Sequence, residues 1–182
     1  MGNGSALPEE AARRDPDCDG LVSIIHPWES GWDNSQRWDE LAGFGDDEER
    51  NKVIRDEMCA RLKDVAFDSA VVLEAGWFDV EPVDFNCIYA ENLAAMGWCA
   101  RELGFDEAAE GFDVRAAHVR EAVHDKMRDP GTGLYFDVAR VGGEERHVRV
   151  ENPAAFFPLF AGIPAPEEAS ALVDKPTSTR SL

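Results

Sequence analysis

The stretch HPWESGWDNSQRWD, residues 26–39, brings three tryptophans, three acidic side chains and one glycine together within fourteen positions. Its apolar residues follow neither the three-to-four-residue spacing of a helix nor the alternation of a half-buried strand. Aromatic rings beside carboxylates are typical of two kinds of loop: a sugar-binding site, and a buried loop with satisfied salt bridges. The residues by themselves leave both interpretations open.

Glycosidic bond cleavage gives such a composition a chemical use. The reaction needs one carboxylic acid to protonate the leaving oxygen and a second carboxylate acting from the other side of the bond. Trp28 and Trp32 would exclude water and so raise the pKa of a carboxyl group beside them. Gly31 would let a sugar approach the backbone, while Asn34 and Arg37 offer hydrogen bonds to its hydroxyls.

Helical patterns dominate the sequence that follows this stretch. The charged segment 46–72 predicts one amphipathic helix or two short ones. The segment 80–104 predicts a longer helix that ends at Gly104. Its expected apolar stripe is Phe85, Ile88, Tyr89, Asn92, Met96, Cys99 and Leu103.

The remainder predicts a second helix, a β-hairpin and two further helices. Asp106 is the expected N-cap of the second helix, with Phe112, Ala116, Val119, Val123 and Met127 on its apolar stripe. A Gly142–Gly143 turn indicates the hairpin. Asn152 is the expected cap of the next helix, and Pro166 occupies the first position of the last. These elements predict a mainly α fold of consecutive helical hairpins with a small β excursion.

The residues around the tryptophan-rich stretch also carry a family resemblance. GLVSIIHPWESGWDNSQRWD, residues 20–39, resembles the signature of the mannosylglycerate and glucosylglycerate hydrolases of glycoside hydrolase family 63. Its core ESGWDxSxRW is similar to trehalases. Downstream, VEPVDFNCIYAENLAAM, GLYFD and AAFFPLFAG occupy the family's places in order, so the resemblance covers residues 15–174.

This resemblance implies a partial (α/α)6 barrel with a small β-hairpin. Residues 1–182 are then expected to form a single partial glycosidase domain, with the N-terminal and C-terminal parts of the barrel missing. Enzymes of these families invert anomeric configuration, which requires the two carboxyl groups roughly 6.5–9.5 Å apart.

The resemblance also assigns roles to individual residues. Asp33 is the expected general acid, and the expected substrate-binding residues are Trp28, Glu29, Gly31, Trp32, Asn34 and Arg37. The partner base is a glutamate in a later segment of the family and is expected outside this chain. Glu74, Asp79, Glu81 and Asp84 are other acids near aromatic residues, but their spacing does not identify a base.

Two classes of function remain open at this stage. The first is part of an inverting α-glycoside hydrolase acting on a small glucosylated or mannosylated compound, with a second polypeptide completing the barrel. The isolated chain is then expected to be inactive because it lacks the general base. The second is a non-catalytic, truncated carbohydrate-binding or assembly remnant. Trehalase is an alternative within the same chemistry.

The overall composition narrows the choice of partners and compartment. The 37 acidic residues outnumber 18 lysines and arginines, giving a formal net charge of -19. Such a charge repels phosphate, so nucleic acid and anionic membranes are not expected partners. The absence of a long apolar run and of a hydrophobic leader predicts a cytoplasmic protein. A lysine-poor acidic surface suits either a halophilic source or an ordinary acidic cytosolic protein.

Neither a metal nor a cofactor is expected from the sequence. The four cysteines lack the close spacing of a zinc site or a disulfide framework. Asp15, Asp17, Asp19 and Gly20 match the opening of a calcium loop, but His26 stands where its bidentate glutamate belongs. A tight Asp-rich turn is therefore the preferred interpretation.

Overall fold

The protein is mainly helical, as predicted. The computed structural model describes residues 9–32 and 35–174. Its α-helices are α1 (Glu9–Arg13), α2 (Asp39–Ala42), α3 (Glu48–Asp64), α4 (Ser69–Glu74), α5 (Val83–Glu102), α6 (Asp106–Ala122), α7 (Phe157–Phe160) and α8 (Pro166–Val173). Shorter helical turns span Pro27–Ser30, Gln36–Trp38, Val123–Met127 and Pro153–Phe156. None of the described helices is long and apolar enough to cross a membrane.

The segment 46–72 forms two helices, α3 and α4. Between them Ala66 and Phe67 adopt left-handed backbone conformations, with φ of 51° and 58°. A helix cannot continue through such residues. The Asp68 side chain then caps α4 by accepting hydrogen bonds from the backbone N–H groups of Ala70 and Val71.

Helices α5 and α6 form the central helical hairpin. Gly104, with φ of 77°, allows the sharp turn between them. Their backbones approach closely at Gly97, where an added Cβ would lie 2.5 Å from Asp113 Oδ1 and 3.4 Å from the Ala109 carbonyl oxygen. The smallest residue of α5 therefore sets the distance between the two helices.

The stripe predicted for α5 is confirmed only in part, because Phe85 and Tyr89 pack against hydrophobic clusters while its other members are exposed. Three of the exposed members, Ile88, Met96 and Leu103, and their neighbour Trp98 are 44–70% exposed. The buried face instead carries mostly small residues: Val83, Cys87, Ala90, Leu93, Gly97 and Ala100. Small side chains are buried on this face because they permit close packing on α6, whereas larger ones would hold the helices apart.

The other details of the helical prediction have mixed outcomes. On α6 the stripe of Ala116 and Val119, continued by Val123 and Met127, is buried as predicted. Asp106 is not the N-cap, because it is already the first helical residue and Phe105 precedes it. Asn152 does cap its helical turn, accepting a hydrogen bond from the Ala154 N–H.

A three-stranded antiparallel sheet packs beside the helices. The predicted hairpin is β2 (Asp137–Val141) and β3 (Glu144–Val148), joined by Gly142 and Gly143. The sequence did not predict the third strand, β1 (Val80–Glu81), which pairs with β2 so that Val80 faces Ala139. Two residues are too few to show an alternation pattern, so β1 has no signal of its own.

The segment immediately before the tryptophan-rich loop is anchored in three hydrophobic clusters. Leu21 belongs to the cluster between α5, α6 and α8, Ile24 to the one around Trp38 and β1, and Ile25 to the one beneath α3 and α4. The Ile24 N–H also donates to the Val80 carbonyl oxygen at 2.7 Å. The loop therefore starts from a rigid base.

Candidate active site

The candidate site is the loop from His26 to Trp38. A 3-10 turn over Pro27–Ser30 begins it, and Gly31 leaves that turn in a left-handed conformation with φ of 74°. No described atom lies within 4 Å of a Cβ added to Gly31, so the glycine is required by its backbone conformation. The predicted acid Asp33 and its neighbour Asn34 lie outside the described residues.

A buried arginine holds the second half of this loop. Arg37 is 1% exposed, and its guanidinium contacts two buried carboxylates. Its Nε and Nη2 each donate to Asp137 at 2.5 Å, while Nη1 and Nη2 donate to Asp84 at 3.1 and 2.9 Å. We call Arg37, Asp84 and Asp137 the arginine clamp. It joins the loop to the start of α5 and to β2.

Asp137 is the most heavily bonded member of the arginine clamp. Besides Arg37 it accepts hydrogen bonds from Trp38 Nε1 and from the Val83 N–H, both at 2.9 Å. Burial alone would lower the pKa of the Arg37 guanidinium, but the adjacent carboxylates of Asp137 and Asp84 raise it above its ordinary value. The arginine therefore stays charged, and the loop is fixed by charge-assisted bonds.

The buried position of Arg37 bears on the role predicted for it. Its described hydrogen bonds point away from solvent, towards α5 and β2, and the ring of Trp32 lies 5.7 Å from its guanidinium carbon. Arg37 thus positions the loop and supports Trp32. Direct contact between Arg37 and a sugar stays a prediction.

Glu29 fixes the first half of the loop. Its Oε2 accepts hydrogen bonds from Arg14 Nη1 at 2.8 Å and from the Ile25 N–H at 2.7 Å. The neighbouring imidazole of His26 packs against the Trp28 ring at 5.4 Å. Burial lowers the pKa of His26, and Glu29 offsets part of that effect. The imidazole is therefore neutral at pH 7, as a residue that braces the loop should be.

A cavity of about 180 Å³ is lined by residues that precede and residues that follow positions 33 and 34 in the sequence. Trp28 and Trp32 line it from one flank, and Ser35 and Gln36 from the other. Asp39 and Glu48 are the carboxylates among its described lining residues. Burial raises the pKa of Asp39 above its ordinary value. The predicted residues Trp28 and Trp32 are therefore brought together, with Gly31 between them.

None of the four acids considered as a substitute base lines this cavity. Glu74 is exposed, and Asp79 accepts from Ser23 and Arg140. Asp84 belongs to the arginine clamp, and Glu81 lies in a separate acidic cluster described below. The location of the base therefore stays a prediction.

Sequence analysis missed two residues that define the site. Asp137 lies in the GLYFD stretch, but its contact with Arg37 joins residues 100 positions apart and has no local signal. Asp39 closes the loop at the start of α2, and its place in the cavity depends on the fold of the whole loop.

A mainly helical scaffold with an aromatic loop held by a buried ionic clamp agrees with the helical glycoside hydrolase domain that the resemblance implies. Comparison with known families identifies it further. Residues 11–182 match the model of the mannosylglycerate hydrolase MGH1-like glycoside hydrolase domain, and the chain belongs to this family.

Relatives and solved structures agree with this assignment. The mannosylglycerate hydrolase of Rubrobacter radiotolerans is 30% identical over 91% of the chain, and mannosylglycerate hydrolase MGH1 of Selaginella moellendorffii is 31% identical over 87%. The crystal structure of the GH63 mannosylglycerate hydrolase from Thermus thermophilus in complex with glucose has a TM-score of 0.72 at 32% identity and covers 88% of the chain. The matches span 41%, 36% and 39% of those three proteins, so the chain covers about two fifths of their length.

Proposed function

We propose that the chain forms the acid-bearing part of an inverting α-glycoside hydrolase, with Asp33 as the general acid. The observation that carries this proposal is the arginine clamp. It fixes the loop on one side of residues 33 and 34, while Glu29 fixes it on the other. A general acid must be held in reach of the leaving oxygen, and such anchoring on rigid elements provides that precision.

The environment of the loop supports an acid role. Trp28 and Trp32 line the cavity, and partial burial raises the pKa of Asp39, which also lines it. The same exclusion of water would keep Asp33 protonated until the leaving oxygen takes its proton. Glu29 and Gly31 would shape the sugar subsite, with Asn34 donating to a sugar hydroxyl.

The proposed substrate is a small glucosylated or mannosylated compound. Mannosylglycerate hydrolases and a glucosylglycerate hydrolase of Mycolicibacterium hassiacum are among the similar proteins. Trehalose is the alternative that Trp32 favours within the same chemistry.

The catalytic base is proposed to lie outside this chain. Asp39 and Glu48 are the carboxylates among the described lining residues of the cavity, and the family resemblance assigns the base to neither of them. Sequence covering the remaining length of the relatives, in a longer polypeptide or a second one, would supply the base and complete a partial (α/α)6 barrel. By itself the chain is then expected to bind a glycoside weakly and not to hydrolyse it.

The test is hydrolysis by the polypeptide that the complete gene encodes. Mannosylglycerate, glucosylglycerate and trehalose are compared as substrates, and proton NMR records which anomer appears first. An inverted anomer from one of the glycerate glycosides is expected. Asp33→Asn should lower kcat by roughly 10²–10⁴-fold, the usual contribution of general acid catalysis. Asp33→Asn should lower kcat much less for a glycosyl fluoride, because its leaving group needs no proton.

Asp39→Asn is the matched control, since Asp39 lies in the same motif and lines the same cavity. It should keep most of the activity. Wild-type hydrolysis by Asp33→Asn, or loss of activity only in Asp39→Asn, would show that the acid is assigned to the wrong residue. Binding of glycosides without hydrolysis by the complete gene product would favour the non-catalytic alternative.

A further inference from the structure

A cluster of four carboxylates lies at the junction of the N-terminal segment with the sheet. Asp17 and Asp19 come from the turn before Gly20, Glu81 from β1 and Glu145 from β3. One oxygen of each lies within 4.8 Å of the corresponding oxygen of every other. We call these residues the acidic cluster. It uses none of the residues that line the candidate active-site cavity.

Glu81 is the unusual member of the acidic cluster. It is 2% exposed and points into the cluster, yet neither of its carboxylate oxygens has a hydrogen-bond partner among the described residues. A buried carboxylate without a partner is strongly unfavourable. Burial raises the pKa of Glu81 to about 8, with the neighbouring acids adding to the effect. Native structures rarely retain such a group unless something binds it.

The basic residues nearby do not balance the acids. Lys126 Nζ contacts Asp19 and Glu145, and the Arg140 guanidinium contacts Asp17, Asp79 and Glu145. Five carboxylates, the acidic cluster and Asp79, thus share two positive charges. A divalent cation would bring two positive charges to this site, and Lys126, whose side chain is 26% exposed, has room to move towards solvent.

We propose that the acidic cluster binds a calcium ion through Asp17, Asp19, Glu81 and Glu145, with Lys126 withdrawing from the site. All four donors are carboxylate oxygens, the hard ligands that calcium prefers. Oxygens on opposite sides of a bound ion are about 4.6–5.2 Å apart for calcium but about 4.0–4.2 Å for magnesium, given their usual bond lengths. The four oxygens lie within 4.8 Å of one another, close enough for one calcium ion to contact all of them.

The fold offers a carboxylate in place of the one that the calcium-loop sequence lacks. His26 stands where the bidentate glutamate is expected, but the fold brings Glu81 of β1 to the loop instead. Asp15 accepts hydrogen bonds from the N–H groups of Asp19 and Gly20 at 3.0 and 3.1 Å, and so holds the turn. The proposal thus replaces the sequence-based preference for an Asp-rich turn without a metal.

The experiment is calcium titration of the complete chain after treatment with EDTA. Isothermal titration calorimetry with CaCl₂ is run at physiological salt, which screens unspecific attraction to an acidic surface. Saturable binding of one ion is expected, with Kd of roughly 10⁻⁵–10⁻³ M, and MgCl₂ should bind at least tenfold more weakly. Thermal unfolding should shift upwards with calcium because the ion binds only the folded state. The readout needs no hydrolysis, so its outcome is independent of the proposed function.

Three variants make the site specific. Glu81→Gln should fold normally without calcium, because it replaces a carboxyl group of similar shape that has no hydrogen-bond partner among the described residues, but should weaken calcium binding at least tenfold. Glu144→Gln is the matched control, an exposed acid on β3 outside the cluster, and should bind like wild type. Lys126→Gln should bind calcium several-fold more tightly because the competing ammonium is gone.

The contrary results are equally specific. Absence of saturable binding in both the wild type and Lys126→Gln up to about 10 mM calcium, well above the expected Kd range, would overturn the proposal. Unchanged calcium affinity in Glu81→Gln would overturn it too, because the buried carboxylate is its central ligand. Equal affinity for magnesium would contradict the assignment of calcium.

Discussion

The arginine clamp predicts a large stability loss when Asp137 is changed to asparagine. Asp137→Asn preserves size and shape but removes the charge and turns one oxygen into an N–H₂ group. Each oxygen of Asp137 accepts two hydrogen bonds, Oδ1 from Arg37 and Val83 and Oδ2 from Arg37 and Trp38. Whichever way the amide turns, its N–H₂ group faces two donors, so two hydrogen bonds are lost.

The size of this loss follows from burial. Arg37 would keep Asp84 but would lose half of the charge that compensates it in a site that is about 1% exposed. Breaking a buried ion pair on one side costs about 3–5 kcal/mol. For a chain of this length, such a loss corresponds to a fall in Tm of about 6–20 °C.

Urea unfolding followed by tryptophan fluorescence and circular dichroism measures the change. The control is Glu91→Gln, which breaks a half-exposed pair with Arg120 and should cost only about 0.2–1 kcal/mol. In a double-mutant cycle, Arg37→Gln combined with Asp137→Asn should cost at least about 1 kcal/mol less than the sum of the single changes. A fall in the free energy of unfolding of less than about 1 kcal/mol for Asp137→Asn, or strict additivity in the cycle, would refute the conclusion that the arginine clamp fixes the loop.

Two further predictions concern helix packing and pH. Gly97→Val should destabilise the protein by about 1–3 kcal/mol, because its branched side chain would clash with the Ala109 backbone. Gly97→Ala should cost less, because the Asp113 side chain can move away from the added methyl group. Urea unfolding midpoints of the two variants test this difference, and equal midpoints would contradict it. His26 has a folded pKa below its ordinary 6.5, so the unfolded chain takes up the proton first and stability should fall as pH drops below about 6.5. His26→Gln should reduce that pH dependence, measured from pH 7.5 to 5 by thermal unfolding, and an unchanged slope would count against a neutral buried imidazole.

The exposed stripe of α5 shows where periodicity stops being informative. Ile88, Met96 and Leu103 recur at helical spacing, and periodicity alone favours them as the core face. The structure buries Ala90 and Gly97 instead, since the opposing helix α6 can approach closely only there. Spacing identifies a helix, but the choice of its buried face depends on the shape of the partner.

The features that neighbouring residues encode were predictable from the sequence. Helix ends follow from local signals such as Gly104 and Asn152, and the hairpin follows from Gly142–Gly143. The family follows from one continuous stretch, residues 20–39, whose tryptophans, acids and glycine keep a fixed order.

Contacts between charges that are distant in the sequence could not be predicted without the fold. Arg37 finds Asp84 and Asp137 across 47 and 100 positions, and Glu81 reaches the turn of Asp17 through a strand of two residues. An acidic chain offers many carboxylates of equal local appearance. Burial distinguishes these carboxylates, because a charge without a partner is strongly unfavourable only in the interior. A buried charge must therefore lie beside a counter-charge.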